Sequence, residues 1–240
     1  MTKALFLDFD GVLFDSLPEA YRLGRFAYRG TEVHAPVDEV DYACFSALRF
    51  LITNSAQYWR VFRLIDLCGV AAKDADYRAG YAELTTKGFE SEMRQFDERF
   101  LSLRKKLIAE EHEFWLSLST PYPFFKALIP RFNSAFPPVI VTTKNRDAVL
   151  ENLTQAGVFG IPEKILDKAD YARRGSKSGL ISDYMKMHGI ESGIFVDDVL
   201  ENVRECSVVS NLECLHAGWG YCDPQMPGET FEEILKHIEQ

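Results

Sequence analysis

The sequence predicts an α/β fold, a doubly wound parallel sheet interrupted by an inserted helical domain, from three observations. Short continuous apolar runs stop abruptly at polar residues, as strands buried on both faces do. From Pro121 onward these runs alternate with helix-like segments, the pattern of parallel strands joined by crossover helices. Between the first run and the second, residues 17 to about 118 read as helix. With 240 residues, 47% apolar and 26% charged, the chain can bury the core of one large domain or two small ones.

The first strand is Ala4-Leu5-Phe6-Leu7, broken by Asp8-Phe9-Asp10-Gly11. Ser16 with Glu19 three residues on fits a capping box, and Pro18 suits a first helical turn. Asp41 to Leu67 reads as mostly helical and carries Arg49, Arg60 and Arg63. Phe89, Met93, Phe96, Phe100, Leu103 and Leu107 form one apolar stripe of a long helix, better explained as core than as a ligand surface. Beyond Pro121, Phe124–Phe132 is a helix and Pro138–Thr143 a buried strand. Arg146–Ala156 is a helix, Lys164–Asp167 a short strand and Gly179–His188 a helix. Ile194–Asp198 is a strand, Glu213–Ala217 a weaker one, and Thr230–Glu239 a closing amphipathic helix. The expected organisation is a core of residues 1–16 and 119–240 with residues 17–118 inserted after the first strand.

Ligands of open parallel sheets bind beyond the carboxyl ends of the strands. Asp8 and Asp10 follow the first strand, Thr142 and Thr143 the second, and Asp197 and Asp198 the third; Lys177 lies in a loop leading into a helix. Convergence would assemble several carboxylates, a hydroxyl and an ammonium. Clustered carboxylates need a cation, and oxygen donors favour Mg²⁺ over softer metals. Mg²⁺ opposite a lysine can neutralise a phosphoryl group while a carboxylate attacks its phosphorus. Each signal alone has a bland account: a strand-end turn, a good strand residue, a solvated lysine, a helix cap. Taken together, the bland account needs four ordered coincidences.

Leu7-Asp8-Phe9-Asp10-Gly11-Val12-Leu13 resembles the first motif of the haloacid dehalogenase superfamily. Val139-Ile-Val-Thr142 resembles its second, Lys177 its third, and Phe195-Val-Asp197-Asp198 its acidic fourth. The resemblance implies a Rossmann-like core with a helical cap, similar to the capped group that includes phosphoglycolate phosphatase and β-phosphoglucomutase. It implies Asp8 as nucleophile, and Asp10 as acid toward the leaving oxygen and then base toward water. Thr142, with Gly11 and backbone amides near Phe9, Asp10 and Thr143, would bind phosphoryl oxygens, and Lys177 would hold Asp8 and the phosphate. Mg²⁺ would be bound by Asp8, the Asp10 carbonyl and Asp198, with Asp197 a water-mediated ligand. The fourth motif departs from the commoner pattern in two places. Asp197 stands where glycine precedes the metal-binding Asp, and Asn202 stands where a later acid supports the lysine.

The expected activity is therefore Mg²⁺-dependent hydrolysis of a small phosphomonoester. Asp10 favours phosphoryl transfer over dehalogenation, because an alkoxide leaving group needs a proton and a halide does not. A sugar phosphomutase, a 2-haloacid dehalogenase and a silent binding protein on the same fold are the other readings. Arg49, Arg60 and Arg63 could reach a substrate anion, although such arginines more often face water. Net charge −9 argues against a nucleic-acid partner. No eighteen-residue apolar run predicts a membrane span, and the opening residues reach Asp8 before a signal-peptide core forms. Five cysteines without metal-ligand spacing read as reduced thiols of a cytoplasmic protein.

Overall fold

The computed structural model describes residues 3–134, 137–161 and 164–239. Strand β1 (Lys3–Leu7) reads as apolar because both its faces are covered. Phe6 packs with Tyr184 and Phe195 on one face, and Leu7 with Phe124 and Val149 on the other. Beyond Gly11, β2 (Phe14–Asp15) pairs antiparallel with a later strand at Thr120–Pro121. The chain up to Asp15 together with the chain from Thr120 forms one compact unit, and Ser16–Ser119 forms another.

The inserted unit contains α1 (Leu17–Arg29), α2 (Glu39–Ala47), α3 (Tyr58–Cys68), α4 (Asp74–Thr86), α5 (Glu90–Glu110) and α6 (His112–Ser117). Between α2 and α3 the chain makes only short 3₁₀ turns at Arg49–Leu51 and Ser55–Gln57. Phe96, Phe100, Leu103 and Leu107 bury one stripe of α5. The capping box expected at Ser16 is absent: the Ser16 side chain caps nothing and its hydroxyl accepts from Ser119. Glu19 is instead buried and accepts from Arg104 Nε (2.7 Å), Arg104 Nη2 (3.1 Å) and Trp115 Nε1 (2.7 Å). A buried carboxylate needs such donors, and this need outranks a local cap. Arg49 does not face water either. It is buried over the Tyr58 ring and donates to the Ile52 carbonyl at 2.8 Å, while Arg60 is half-buried and Arg63 exposed.

The other unit resumes with β3 (Thr120–Pro121), α7 (Pro123–Phe132), β4 (Val139–Val141), α8 (Arg146–Gln155) and β5 (Ile165–Leu166). It continues through α9 (Lys168–Arg174), α10 (Lys177–Met187), β6 (Ser192–Asp197), α11 (Leu200–Cys206), β7 (Leu212–His216) and α12 (Phe231–Glu239). The five main strands form an all-parallel sheet of order β5-β4-β1-β6-β7. Central β1 thus has neighbours reached in opposite directions along the sheet, the switch-point arrangement that opens a crevice beyond the strand ends. Helices α7, α8 and α12 cover one face, and α10 and α11 the other. The five cysteines are free thiols. Among the described residues no helix is long and apolar enough to cross a membrane.

Candidate active site

Asp8 is the first residue past β1, and its N–H continues the sheet by donating to the Val196 carbonyl at 2.9 Å. Asp197 ends β6, so the sheet register sets Asp8 and Asp197 side by side. Lys177 is the first residue of α10 rather than part of the loop before it. Ser176 caps that helix by accepting from Gly179 N–H, which fixes where the lysine emerges. Its ammonium, buried to 2% exposure, lies 2.9 Å from Asp8 Oδ1 and 2.7 Å from Asp197 Oδ2.

Asp197 is enclosed by donors. Oδ1 accepts from Val199 N–H at 2.8 Å, and Asn202 Nδ2 lies 3.1 Å from both carboxylate oxygens. Support for Lys177 therefore comes from Asp197 itself, held in turn by Asn202. The two departures from the commoner acidic motif compensate each other. One oxygen from each of Asp8, Asp197 and Asp198 lies within 4.8 Å of the others, and all three residues are buried.

Asp198 owes its place to two glycines. Gly11 has φ +89°, and a Cβ there would sit 2.1 Å from Asp198 Oδ2. A Cβ on Gly220 would sit 2.4 Å from Asp198 Cβ. Tyr221 N–H donates to Asp198 Oδ2 at 2.7 Å, and His216 Nε2 lies 3.0 Å from the Asp198 carbonyl oxygen.

Asp10 points elsewhere. Its Oδ1 accepts from Lys144 Nζ at 2.9 Å, and its carboxylate is not in the three-acid group. Lys144 is buried over the Phe9 ring, and its N–H donates to Thr142 Oγ1 at 3.1 Å. Thr142 is buried just past β4, and Thr143 beside it is half-buried. Lys144 was missed in the sequence, although its place two residues beyond Thr142 at a strand end was a usable signal. His216 carried no comparable local mark.

Burial pushes the Asp8 carboxyl up to about 7; Lys177 opposes the shift, while Asp197 and Asp10 reinforce it. Burial works against the Lys177 ammonium too, but Asp197 and Asp8 outweigh it and raise its pKa above the ordinary lysine value. Three buried carboxylates against one ammonium leave excess negative charge. The donors are all oxygens, with no thiolate or imidazole among them, and that set suits a hard divalent cation.

No known family model matches the chain, and no curated protein sequence does. Its likeness is to solved structures. A haloacid dehalogenase-like family hydrolase from Streptococcus pneumoniae matches with TM-score 0.60 at 16% identity, over 99% of this chain and 98% of its own. A predicted phosphoglycolate phosphatase from Haemophilus somnus matches with TM-score 0.62 at 17% identity, over 100% and 98%. A predicted phosphatase from Clostridium acetobutylicum matches with TM-score 0.63 at 13% identity, over 100% and 99%. At such identities the likeness is one of fold. The chain has the fold of the haloacid dehalogenase-like hydrolases along its full length.

Proposed function

We propose that this protein is a Mg²⁺-dependent phosphoric monoester hydrolase that acts on a small phosphorylated metabolite through an aspartyl-phosphate at Asp8. The observation that carries the reading is buried Asp8, 2.9 Å from the Lys177 ammonium and next to two further buried carboxylates. The fold shared with proteins titled phosphatases supports it. In this reading the sheet unit is the catalytic core and the inserted helical unit is a cap.

An Asp8 oxygen attacks phosphorus as the ester O–P bond breaks, and the Asp10 carboxyl gives its proton to the leaving oxygen. In the second half, Asp10 takes a proton from water, which attacks the aspartyl-phosphate, releases inorganic phosphate and restores Asp8. Lys177 orients Asp8 and neutralises phosphoryl charge; Thr142 and the backbone amides of Phe9, Asp10 and Thr143 hold the non-bridging oxygens. Gly11 leaves room for the Asp198 carboxylate beside this loop. Lys144 orients Asp10. Asp8 and Asp198, with the Asp10 carbonyl, would hold Mg²⁺, which supplies the positive charge that lets an anionic nucleophile meet an anionic phosphoryl group. Asp197 is engaged with Lys177 and Asn202, so its part toward the metal would run through water. A proton-delivering Asp10 is what an ester needs and a haloacid does not, which favours the phosphatase over a dehalogenase. The −9 charge favours a small substrate over nucleic acid, and the free thiols accord with a cytoplasmic setting.

The test is inorganic phosphate release from a panel of phosphorylated metabolites, with Mg²⁺ and with EDTA. Metal-dependent release that Asp8→Asn abolishes is the expected result. Release that persists in Asp8→Asn, or none from any compound, overturns the reading.

A further inference from the structure

The loop after β7 bridges two parts of the sheet unit that the proposed reaction leaves unconnected. Trp219 anchors it: its indole N–H donates to the Val12 carbonyl at 3.1 Å, and its ring packs 4.7 Å from Phe124. Gly220 is pressed so closely onto the first loop that a Cβ would lie 2.3 Å from the Gly11 carbonyl oxygen. The next residue, Tyr221, is engaged at both ends. Its backbone N–H donates to Asp198 Oδ2 at 2.7 Å, and its phenol donates to Asp15 Oδ1 at 3.0 Å. Asp15 lies in β2, which pairs with Thr120 of β3, and these two strands carry both passages of the chain into the inserted unit.

We propose that Tyr221 is a positioning residue that couples Asp198 to the β2–β3 ribbon, so that cation occupancy at the carboxylate cluster and the order of that ribbon depend on each other. The inference rests on the metal-binding part of the proposed function. Asp198 is 1% exposed, so little solvent competes for the donor that aims its Oδ2. An ion that fixes the Asp198 carboxylate fixes the Tyr221 backbone, and through the phenol it fixes Asp15. Linkage requires the reverse effect to be equal: a ribbon held by Tyr221 strengthens ion binding by the same factor. Removing only the phenol oxygen leaves Trp219 and Gly220 in place, so the loop retains its anchors in the variant.

The test uses the full chain, the parent and Tyr221→Phe, with Mg²⁺ titrated calorimetrically and amide hydrogen exchange followed at Phe14, Asp15 and Thr120. In the parent, Mg²⁺ binds and slows exchange at these amides. In Tyr221→Phe, binding weakens about three- to tenfold, a part of the worth of one hydrogen bond to a charged acceptor, and Mg²⁺ no longer slows exchange there. The effects of Asp15→Ala and Tyr221→Phe on binding are less than additive in the double variant, because both changes remove the phenol–carboxylate contact. Parental affinity and a parental exchange response in Tyr221→Phe would overturn the coupling while leaving the hydrolase reading intact. A parent that binds no divalent cation would overturn both.

Discussion

Replacing Asn202 with Asp tests whether the paired departures at 197 and 202 are one device. Asn202 Nδ2 lies 3.1 Å from each Asp197 oxygen, with Asn202 6% and Asp197 0% exposed. A carboxylate in its place would face Asp197 at that distance. At an effective dielectric of about 20, two such charges repel by about 5 kcal/mol. The escape is to hold a proton on the pair, which at pH 8 costs about 1.4 kcal/mol for each of roughly four pH units above an ordinary Asp pKa. Both routes reach a similar figure, and some relaxation of the site lowers it to about 3–5 kcal/mol. The sign with pH is fixed. The shared carboxyl has a folded pKa above its unfolded value, so the deficit is small below about pH 4 and grows as pH rises through the folded pKa. Urea unfolding of Asn202→Asp without metal should show a loss of about 3–5 kcal/mol at pH 8, shrinking to about 1–2 kcal/mol at pH 5. A variant within about 0.5 kcal/mol of the parent at both values would refute the reasoning.

Three further outcomes follow from the same contacts. Asp8→Asn should melt at least about 2 °C higher than the parent in EDTA at pH 8. The folded Asp8 pKa of about 7 lies above the ordinary carboxylate value, so stability is lost as pH rises between the two; the gain should vanish near pH 4, and no gain at pH 8 would count against it. Arg104→Ala strands the buried Glu19 carboxylate and should cost about 3–5 kcal/mol of unfolding free energy, whereas a loss below about 1 kcal/mol would contradict the buried-pair account. Lys144→Met should lower kcat for phosphate release about ten- to hundredfold at a near-parental KM, with Lys144→Arg recovering part of it; a change in KM alone would remove Lys144 from its place behind Asp10.

What could be read in the sequence and what could not separates along a physical line. The parallel sheet was legible because strands such as β1 and β6 are covered on both faces and so write uninterrupted apolar runs. The strand-end positions of Asp8, Thr142, Asp197 and Asp198 followed from the same runs. The β2–β3 ribbon left no mark, since each strand has two residues and its partner lies across the whole inserted unit. Glu19 read as a cap because that motif is local, whereas its true partners Arg104 and Trp115 are 85 and 96 residues away. Arg49 read as a surface charge because a buried arginine over an aromatic ring has no sequence signature distinct from an exposed one. Lys144 stood in plain view beside Thr142, but its meaning depends on Asp10, 134 residues earlier. The compensation between Asp197 and Asn202 likewise leaves no mark in the sequence, since it consists of side-chain hydrogen bonds that only the fold creates.

The most direct test of the account is rapid acid quench of the enzyme during turnover of its best phosphomonoester with Mg²⁺, followed by mass spectrometry of the peptide containing Asp8. The account predicts a transient adduct of one phosphoryl group on Asp8, absent from Asp8→Asn. Steady phosphate release with no such adduct, or with the adduct on another residue, would contradict it.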